Sequence, residues 1–237
     1  MSLLMMGIGP WKRARSPEQK AERERDILDA AANLFLDKGF DKASMRAIGC
    51  KAGLSKGNLY RYFKTKEEVF LKLYAEDFET WLDELEAAMA HKAGQGDLRW
   101  LADLVANSLV TRPRMGGLTA LLAGVLERNV PWEVLLQFKE QIVERAIRLT
   151  AAIHHAVPAI SEEQAVRFVR MVHFYSAGLW PAAHPPPELE RALASSELLS
   201  QFHTDFEQEL SLSIRTILAG ILEQARHFPV DADEVSP

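Results

Sequence analysis

Residues 39–68 read GFDKASMRAIGCKAGLSKGNLYRYFKTKEE, and this stretch decides the fold. Its residue pattern predicts a short helix from Ser44 to about Ala52 and a second from Ser55 to about Tyr62. Gly53 separates the two, because glycine adopts the backbone angles of a tight turn without steric cost. Two short helices joined at a glycine have the geometry of a helix-turn-helix, whose second helix enters the major groove of DNA.

The polar residues of this stretch suit contact with DNA. Ser44 can cap its helix and offer a hydroxyl to a phosphate, and Arg46 is long enough to reach a base edge. Gly57 lets the backbone approach the DNA closely, whereas Ile48, Leu54, Leu59 and Phe63 are expected to hold the motif to the preceding helix. The predicted DNA-binding residues are Ser44, Arg46, Ser55, Lys56, Gly57, Asn58, Tyr60, Arg61, Tyr62, Lys64 and Lys66.

The motif resembles the DNA-binding domain of the TetR family of bacterial transcriptional regulators. Glycines, aromatic residues and lysines fall in register with the family over Gly39-Phe40, 44–48 and 53–68, and the resemblance covers about residues 20–70. Gly49 departs from the pattern, since the family usually has alanine there. The resemblance implies that DNA faces the residues Ser44, Arg46, Lys56, Gly57, Asn58, Tyr60, Tyr62 and Lys66.

The charge of the chain is divided unequally along its length. The 237 residues carry a formal charge of −5, but residues 1–66 hold 14 of the 28 basic and 7 of the 33 acidic residues and are therefore +7. The remaining residues are −12. Such asymmetry indicates contact of one part with nucleic acid or a membrane, although a solvated basic helix would give the same pattern. The single cysteine, Cys50, excludes an intrachain disulfide and is expected to be a small buried residue.

Helical periodicity without strand alternation predicts an all-α protein. It has an N-terminal three-helix DNA-binding domain with a helix-turn-helix and a C-terminal helical ligand-binding and dimerisation domain. The predicted divisions are a disordered or added N-terminus over 1–15, the DNA-binding domain over 16–64, the second domain over 65–228 and a tail over 229–237. Outside the motif, helices are predicted at 17–38, 66–92, 97–111, 114–128, 131–156, 161–181 and 198–226, with a non-helical linker at 182–187.

The acidic part of the chain lacks the signatures of an enzyme. It contains no nucleophile elbow, phosphate loop or HExxH motif, so we expect no catalytic residues and no cofactor. His154 and His155 are adjacent, point about 100° apart on a helix and do not form an i,i+4 metal pair, so no metal is expected. No apolar run reaches the roughly 18 residues of a membrane span, and no secretory signal is present, so a cytoplasmic protein without membrane contact is expected.

The helix over Phe168–Trp180 is apolar nearly all round, which suggests that it lies between the core and a second subunit. With the helix over 206–226 it would form a four-helix interface in a homodimer, as the resemblance also implies. The predicted dimer contacts are Phe168, Val169, Val172, Leu179, Leu210, Ile214, Ile217 and Ile221.

The middle helices carry many large apolar residues, and the resemblance implies an inducer pocket among them. Gly116-Gly117 and Met115 suggest a helix that can be loose, although core packing would explain the same residues. The predicted ligand-binding residues are Phe78, Trp81, Trp100, Leu104, Met115, Leu118, Leu122, Phe138, Met171, His173, Phe174 and Tyr175.

The predicted function is that of a sequence-specific DNA-binding transcriptional regulator. It would be a repressor that an apolar small-molecule inducer releases from double-stranded, palindromic operator DNA. Activation of transcription in place of repression is the other possibility, because the sequence does not encode the sign of regulation. The alternative is a helical small-molecule-binding protein that has lost DNA binding. Neither the operator nor the inducer can be read from the sequence.

Overall fold

The computed structural model describes residues 16–227, and within this range every regular element is helical. The helices are α1 (Pro17–Lys42), α2 (Met45–Lys51), α3 (Lys56–Leu59), α4 (Lys66–Ala90), α5 (Leu98–Val110), α6 (Pro113–Leu121), α7 (Trp132–Ala156), α8 (Glu162–Ala183), α9 (Pro187–Ala194), α10 (Glu197–Ser200) and α11 (Phe206–His227), with a 3-10 turn over Leu126–Arg128. The all-α prediction is confirmed. The predicted segments 1–15 and 229–237 lie outside the described residues.

The chain divides into two compact units after Lys66, close to the boundary predicted after Lys64. The first unit holds α1, α2 and α3. Ser16 caps α1 in a reciprocal arrangement with Gln19, as the spacing predicts. Gly39 has φ +76° and ends the regular helical backbone of α1 where the sequence predicted, because glycine alone takes this left-handed conformation cheaply.

The second unit is built on α4, whose inward side buries Phe70, Leu82, Leu85 and Met89. Helix α8 packs on α6, α7 and α11, and α11 packs in turn on α5. Arginines of neighbouring helices pair with carboxylates along α4, and these pairs fix its position. The pairs are Arg112–Glu84, Arg114–Asp77, Arg145–Glu79 and Arg148 with Glu79, Asp83 and Glu86.

Two predicted helix boundaries in the second unit are wrong. Helix α6 ends at Leu121, so the predicted helix 114–128 is a helix followed by a turn and a 3-10 turn. The predicted helix 198–226 begins only at Phe206, and α9 and α10 were not predicted. Pro187 occupies the first turn of α9, where a missing N–H costs nothing, so this proline starts a helix in the predicted linker.

Candidate functional site

The backbone of the first unit forms the predicted helix-turn-helix. The Oγ atoms of Ser44 and Ser55 accept hydrogen bonds from the backbone N–H groups of Ala47 (3.2 Å) and Asn58 (3.4 Å), so each serine caps its helix. Between the helices, Gly53 has φ +66° and makes the turn. Helix α3 is shorter than predicted, because beyond Leu59 the chain continues in hydrogen-bonded turns up to Phe63.

The inner side of the motif is closely packed. Ile48, Leu59 and Phe63 are buried, as predicted, whereas Leu54 is half-buried. A Cβ atom on Gly49 would lie 3.3 Å from both the Leu54 carbonyl oxygen and the Leu59 Cδ2 atom, which is tighter than an ordinary contact. The glycine that departs from the family pattern therefore lets α2 and α3 approach more closely than alanine would.

None of the predicted DNA-binding residues is buried. Tyr60, Tyr62 and Lys66 are half-buried, and the exposed ones are Ser44, Arg46, Ser55, Lys56, Gly57, Asn58, Arg61 and Lys64. Cys50 is exposed as well, so the expectation that it is buried is wrong: Ile48 and Gly49 occupy the inward side of α2, and the next residue turns outward.

The lysines at the end of the motif contact their own unit. The Lys66 ammonium donates a hydrogen bond to the Phe40 carbonyl oxygen (3.2 Å) and lies 3.8 Å from the centre of the Phe40 ring. Lys64 donates to the Tyr60 carbonyl oxygen at 2.9 Å, and Lys56 lies 5.7 Å from the centre of the Tyr60 ring. Lys66 thus anchors the end of α1 and has two further N–H donors for another partner.

The second unit contains a cavity walled by α4, α5, α6, α7 and α8. Its volume is about 50 Å³. Its wall is almost entirely apolar. The lining residues are Tyr74, Phe78, Trp81, Val105, Leu109, Met115, Thr119, Leu149, Ile153, Phe168, Val169, Val172, His173 and Ser176.

Thr119 and Tyr74 are two of the polar side chains on the wall. Thr119 Oγ1 donates to the Met115 carbonyl oxygen (2.8 Å), and the Tyr74 phenol interacts with Thr119. Burial raises the pKa of Tyr74 to about 12, so this hydroxyl stays protonated at neutral pH. Trp81 donates its ring N–H to Ser108 Oγ at 2.8 Å and contributes apolar surface to the cavity.

His173 and Ser176 are the other polar side chains of the wall. Burial lowers the pKa of His173, and the nearby Lys139 ammonium lowers it further. Ser176 is buried, and its hydroxyl has no hydrogen-bond partner among the described residues. No acidic side chain, lysine or arginine belongs to the lining of this cavity as the described residues form it.

The structure places four of the predicted ligand-binding residues on the cavity wall: Phe78, Trp81, Met115 and His173. The other eight lie elsewhere. Trp100 and Leu104 line a separate open groove on α5. Three residues are buried without lining the cavity: Leu118, Leu122 and Phe138. Tyr175 is half-buried outside the lining, and Met171 and Phe174 are exposed.

The sequence analysis missed the remaining lining residues. Tyr74, Thr119 and Ser176 bring polar groups that a search for large apolar side chains passes over. Helical spacing offered one signal for Ser176, because it lies three residues from His173 and so shares its face of α8.

Most of the predicted dimer contacts are buried within their own chain, so they offer little surface to a second subunit. They are core residues of the second unit: Phe168, Val172, Leu179, Leu210, Ile214 and Ile221. Val169 and Ile217 are half-buried. A helix that is apolar nearly all round gives no sequence signal for its inward side. In the structure the exposed apolar residues are Val166, Met171 and Phe174 on α8 and Leu212 on α11.

Gly116 marks a tight contact, and the expectation of a loose helix is wrong. A Cβ atom at this position would lie 2.3 Å from Cε3 of the Trp180 ring. The ring is held from elsewhere too, by stacking on His184 at 3.8 Å and an edge contact with Phe206 at 5.0 Å between ring centres. The missing side chain of Gly116 therefore makes room for Trp180 where α6 meets α8.

Within residues 16–227, every helix is too short or too polar to span a bilayer. No group of three or more histidine, cysteine, aspartate or glutamate side chains is placed to hold a metal ion in the same range.

Comparison with known proteins gives matches to two family models. The model described as "Bacterial regulatory proteins, tetR family" matches residues 27–73, and the one described as "Tetracyclin repressor-like, C-terminal domain" matches residues 75–225. The chain is 37% identical over 67 residues to the HTH-type transcriptional repressor KstR2 of Mycolicibacterium smegmatis, a match that covers 28% of this chain and 32% of that repressor. In this and similar matches the chain spans about a third to two fifths of the length of its curated relatives.

Solved structures resemble the chain over most of its length. A TetR-family transcriptional regulator from Streptomyces coelicolor has a TM-score of 0.54 at 20% identity, covering 84% of this chain and 99% of that one. The transcriptional regulator FadR from Bacillus subtilis, solved in complex with stearoyl-CoA, has a TM-score of 0.50 at 19% identity and covers 82% and 96%. At these identities the likeness concerns the fold.

Proposed function

The chain belongs to the tetR family of bacterial regulatory proteins, and from this premise we propose that it is a sequence-specific DNA-binding transcriptional regulator. It acts as a repressor that an apolar small molecule releases from its operator. The observation that carries the proposal is the charge of the helix-turn-helix: residues 44–66 hold six basic residues and no acidic one.

The surface of the motif supports contact with DNA. Arg46, Lys56 and Arg61 are exposed and can meet phosphates or base edges. Tyr60 and Tyr62 are half-buried, so packing holds part of each ring while the rest is free for a partner. The second unit is acidic and repels DNA, which leaves the first unit as the contact surface.

The outward faces of α8 and α11 support a homodimer. Val166, Met171 and Phe174 expose 48, 41 and 65% of their surface on α8, and Leu212 exposes 60% on the adjacent α11. Burial of such a face against a second copy removes apolar area from water. Two copies related by a two-fold axis present two α3 helices, which fits a palindromic operator with half-sites roughly 34–36 Å apart.

Helix α4 connects the proposed inducer cavity to the DNA-binding unit along the chain. It begins at Lys66, the last residue of the first unit, and supplies Tyr74, Phe78 and Trp81 to the cavity wall. A ligand that fits the cavity in one position of α4 better than in another shifts the population between them. The FadR structure, solved in complex with stearoyl-CoA, supports a small-molecule ligand for this fold.

A gel-shift titration on the DNA upstream of the gene tests the proposal. We expect a retained complex whose affinity falls as salt rises, since phosphate contacts release counterions. Lys56→Ala should weaken binding and reduce the slope of log affinity against log salt by about one. Lys92→Ala removes one exposed cation from the second unit and is the matched control. Equal binding by Lys56→Ala and Lys92→Ala would contradict the docking of α3, and no complex at low salt would favour the DNA-binding-deficient alternative.

A further inference from the structure

The polar groups on the cavity wall define the chemistry of its occupant. We propose that the cavity binds an uncharged, largely apolar molecule with one hydroxyl or carbonyl oxygen, which forms hydrogen bonds with Ser176 and His173. This inference rests on the proposed function, in which the same cavity receives the inducer.

Ser176 is the first observation behind this inference. The residue is 7% exposed, and its hydroxyl lies on the cavity wall without a hydrogen-bond partner among the described residues. A buried hydroxyl that makes no hydrogen bond loses its hydration without compensation. An oxygen atom of a ligand in the cavity supplies the missing partner.

His173 lies on the same side of α8 as Ser176, because residues three apart in a helix are neighbours on its surface. Its ring is neutral at pH 7, since burial lowers its pKa, and it therefore offers one N–H donor and one acceptor nitrogen. The charged groups that act on the ring are Lys139 and Glu127, which form an ion pair with each other at 2.6 Å. Together, the imidazole and the hydroxyl can donate to and accept from one ligand oxygen.

Other polar groups of the wall already have interactions within the chain. Thr119 donates to the Met115 carbonyl, the Trp81 N–H donates to Ser108, and the Tyr74 phenol interacts with Thr119. The polar contact of a ligand is thus assigned to the part of the wall that α8 provides, where His173 and Ser176 lie. The rest of the wall, including Phe78 and Phe168, accepts hydrocarbon.

The wall also selects against ions. No acidic side chain, lysine or arginine lines this cavity among the described residues, so a carboxylate or an ammonium group would be desolvated without an opposite charge. Neutral oxygen compounds do not incur this penalty. Met115, an unbranched side chain, belongs to the apolar part of the wall.

Calorimetric titration of the full chain at pH 7.5 with octan-1-ol, octanoate and octylammonium tests the proposal. We expect octan-1-ol to bind at least about tenfold more tightly than either ion, because only the ions lose hydration without a partner. Ser176→Ala removes one oxygen atom and should weaken octan-1-ol binding about 3- to 10-fold, the loss of one neutral hydrogen bond. Ser213→Ala, on α11 outside the cavity, should leave it unchanged, and melting curves confirm that both variants fold.

The opposite results overturn the proposal. It fails if octanoate or octylammonium binds as tightly as octan-1-ol, if none of the three binds, or if Ser176→Ala keeps the full affinity. A gel shift on the upstream DNA, run in parallel without any of these compounds, separates this failure from that of the proposed function: a retained DNA complex would leave the regulator intact and discard the ligand class alone.

Discussion

Gly116→Ala tests how tightly α6 is packed against α8. The new Cβ atom would lie 2.3, 2.5 and 3.0 Å from three atoms of the Trp180 ring, whereas optimal carbon contacts are about 3.5–4.0 Å. The ring has to shift by about 1 Å, and His184 and Phe206 oppose this movement. Overpacking of this kind costs about 1–3 kcal/mol of unfolding free energy. Alanine in a helix interior stabilises the fold by about 1 kcal/mol relative to glycine, so the net decrease in unfolding free energy is about 0–2 kcal/mol.

Thermal unfolding followed by circular dichroism measures this loss. For a chain of this length, about 1 kcal/mol corresponds to a change of roughly 2–4 °C in Tm, so Gly116→Ala should lower Tm by up to about 8 °C. In a Trp180→Leu background the clash is absent, and the same substitution should raise Tm by about 2–4 °C. Gly220→Ala, inside α11 where a Cβ atom meets nothing within 4 Å, is the control for a helical glycine substitution in open space.

The tight contact predicts that Gly116→Ala changes Tm with opposite signs in the parent chain and in the Trp180→Leu background. A double-mutant cycle should give a coupling of about 1–3 kcal/mol between positions 116 and 180. An equal rise in Tm in both backgrounds would refute the tight contact and restore the expectation of a loose helix.

Three further predictions concern the dimer, the cavity and the DNA-binding unit. Phe174→Glu should convert the proposed dimer to a monomer in light-scattering measurements. Trp132→Glu, at a similarly exposed position on α7, should leave the dimer intact. A dimeric Phe174→Glu variant would contradict the proposed interface. The lowered pKa of His173 disfavours protonation in the folded state, so the stability that the neutral ring contributes is full above pH 6.5 and is lost as pH falls through the folded-state pKa. His173→Gln should therefore show a smaller fall in Tm between pH 7.5 and 5 than the parent chain. An equal fall in the two proteins would refute this prediction. Lys66→Ala should lower the operator affinity and also lower the unfolding free energy by about 1 kcal/mol, because the ammonium donates to the Phe40 carbonyl. Lys56→Ala should lower the operator affinity alone. An unchanged Tm of Lys66→Ala would show that the hydrogen bond to Phe40 is weak.

Local chemistry explains why the first unit could be predicted from the sequence. The serines at positions 16, 44 and 55 cap their helices through contacts three residues away, and Gly39 and Gly53 have positive φ. Each of these features depends on a short segment of chain, so residue type and spacing carry the information. The basic motif and its turn were therefore evident before any tertiary contact was known.

The cavity and the outward face of α8 depended on tertiary structure. Phe168 and Val172 were predicted to meet a second subunit, yet they are buried beside the cavity, while Met171 and Phe174, predicted to line the cavity, face outward. The helix is apolar on every side, so its periodicity contains no signal for its rotation about its own axis. That rotation is set by the packing of α6, α7 and α11 against it.

The sequence by itself determined the all-α class, the helix-turn-helix and the concentration of positive charge before residue 67. Tertiary structure alone decided that Gly116 makes room for Trp180 and that Ser176 lies on a cavity wall without a hydrogen-bond partner in residues 16–227. The physical reason is the range of the interactions: caps, turns and charge counts are properties of neighbouring residues, whereas packing and burial join residues such as 116 and 180 that lie far apart in the chain.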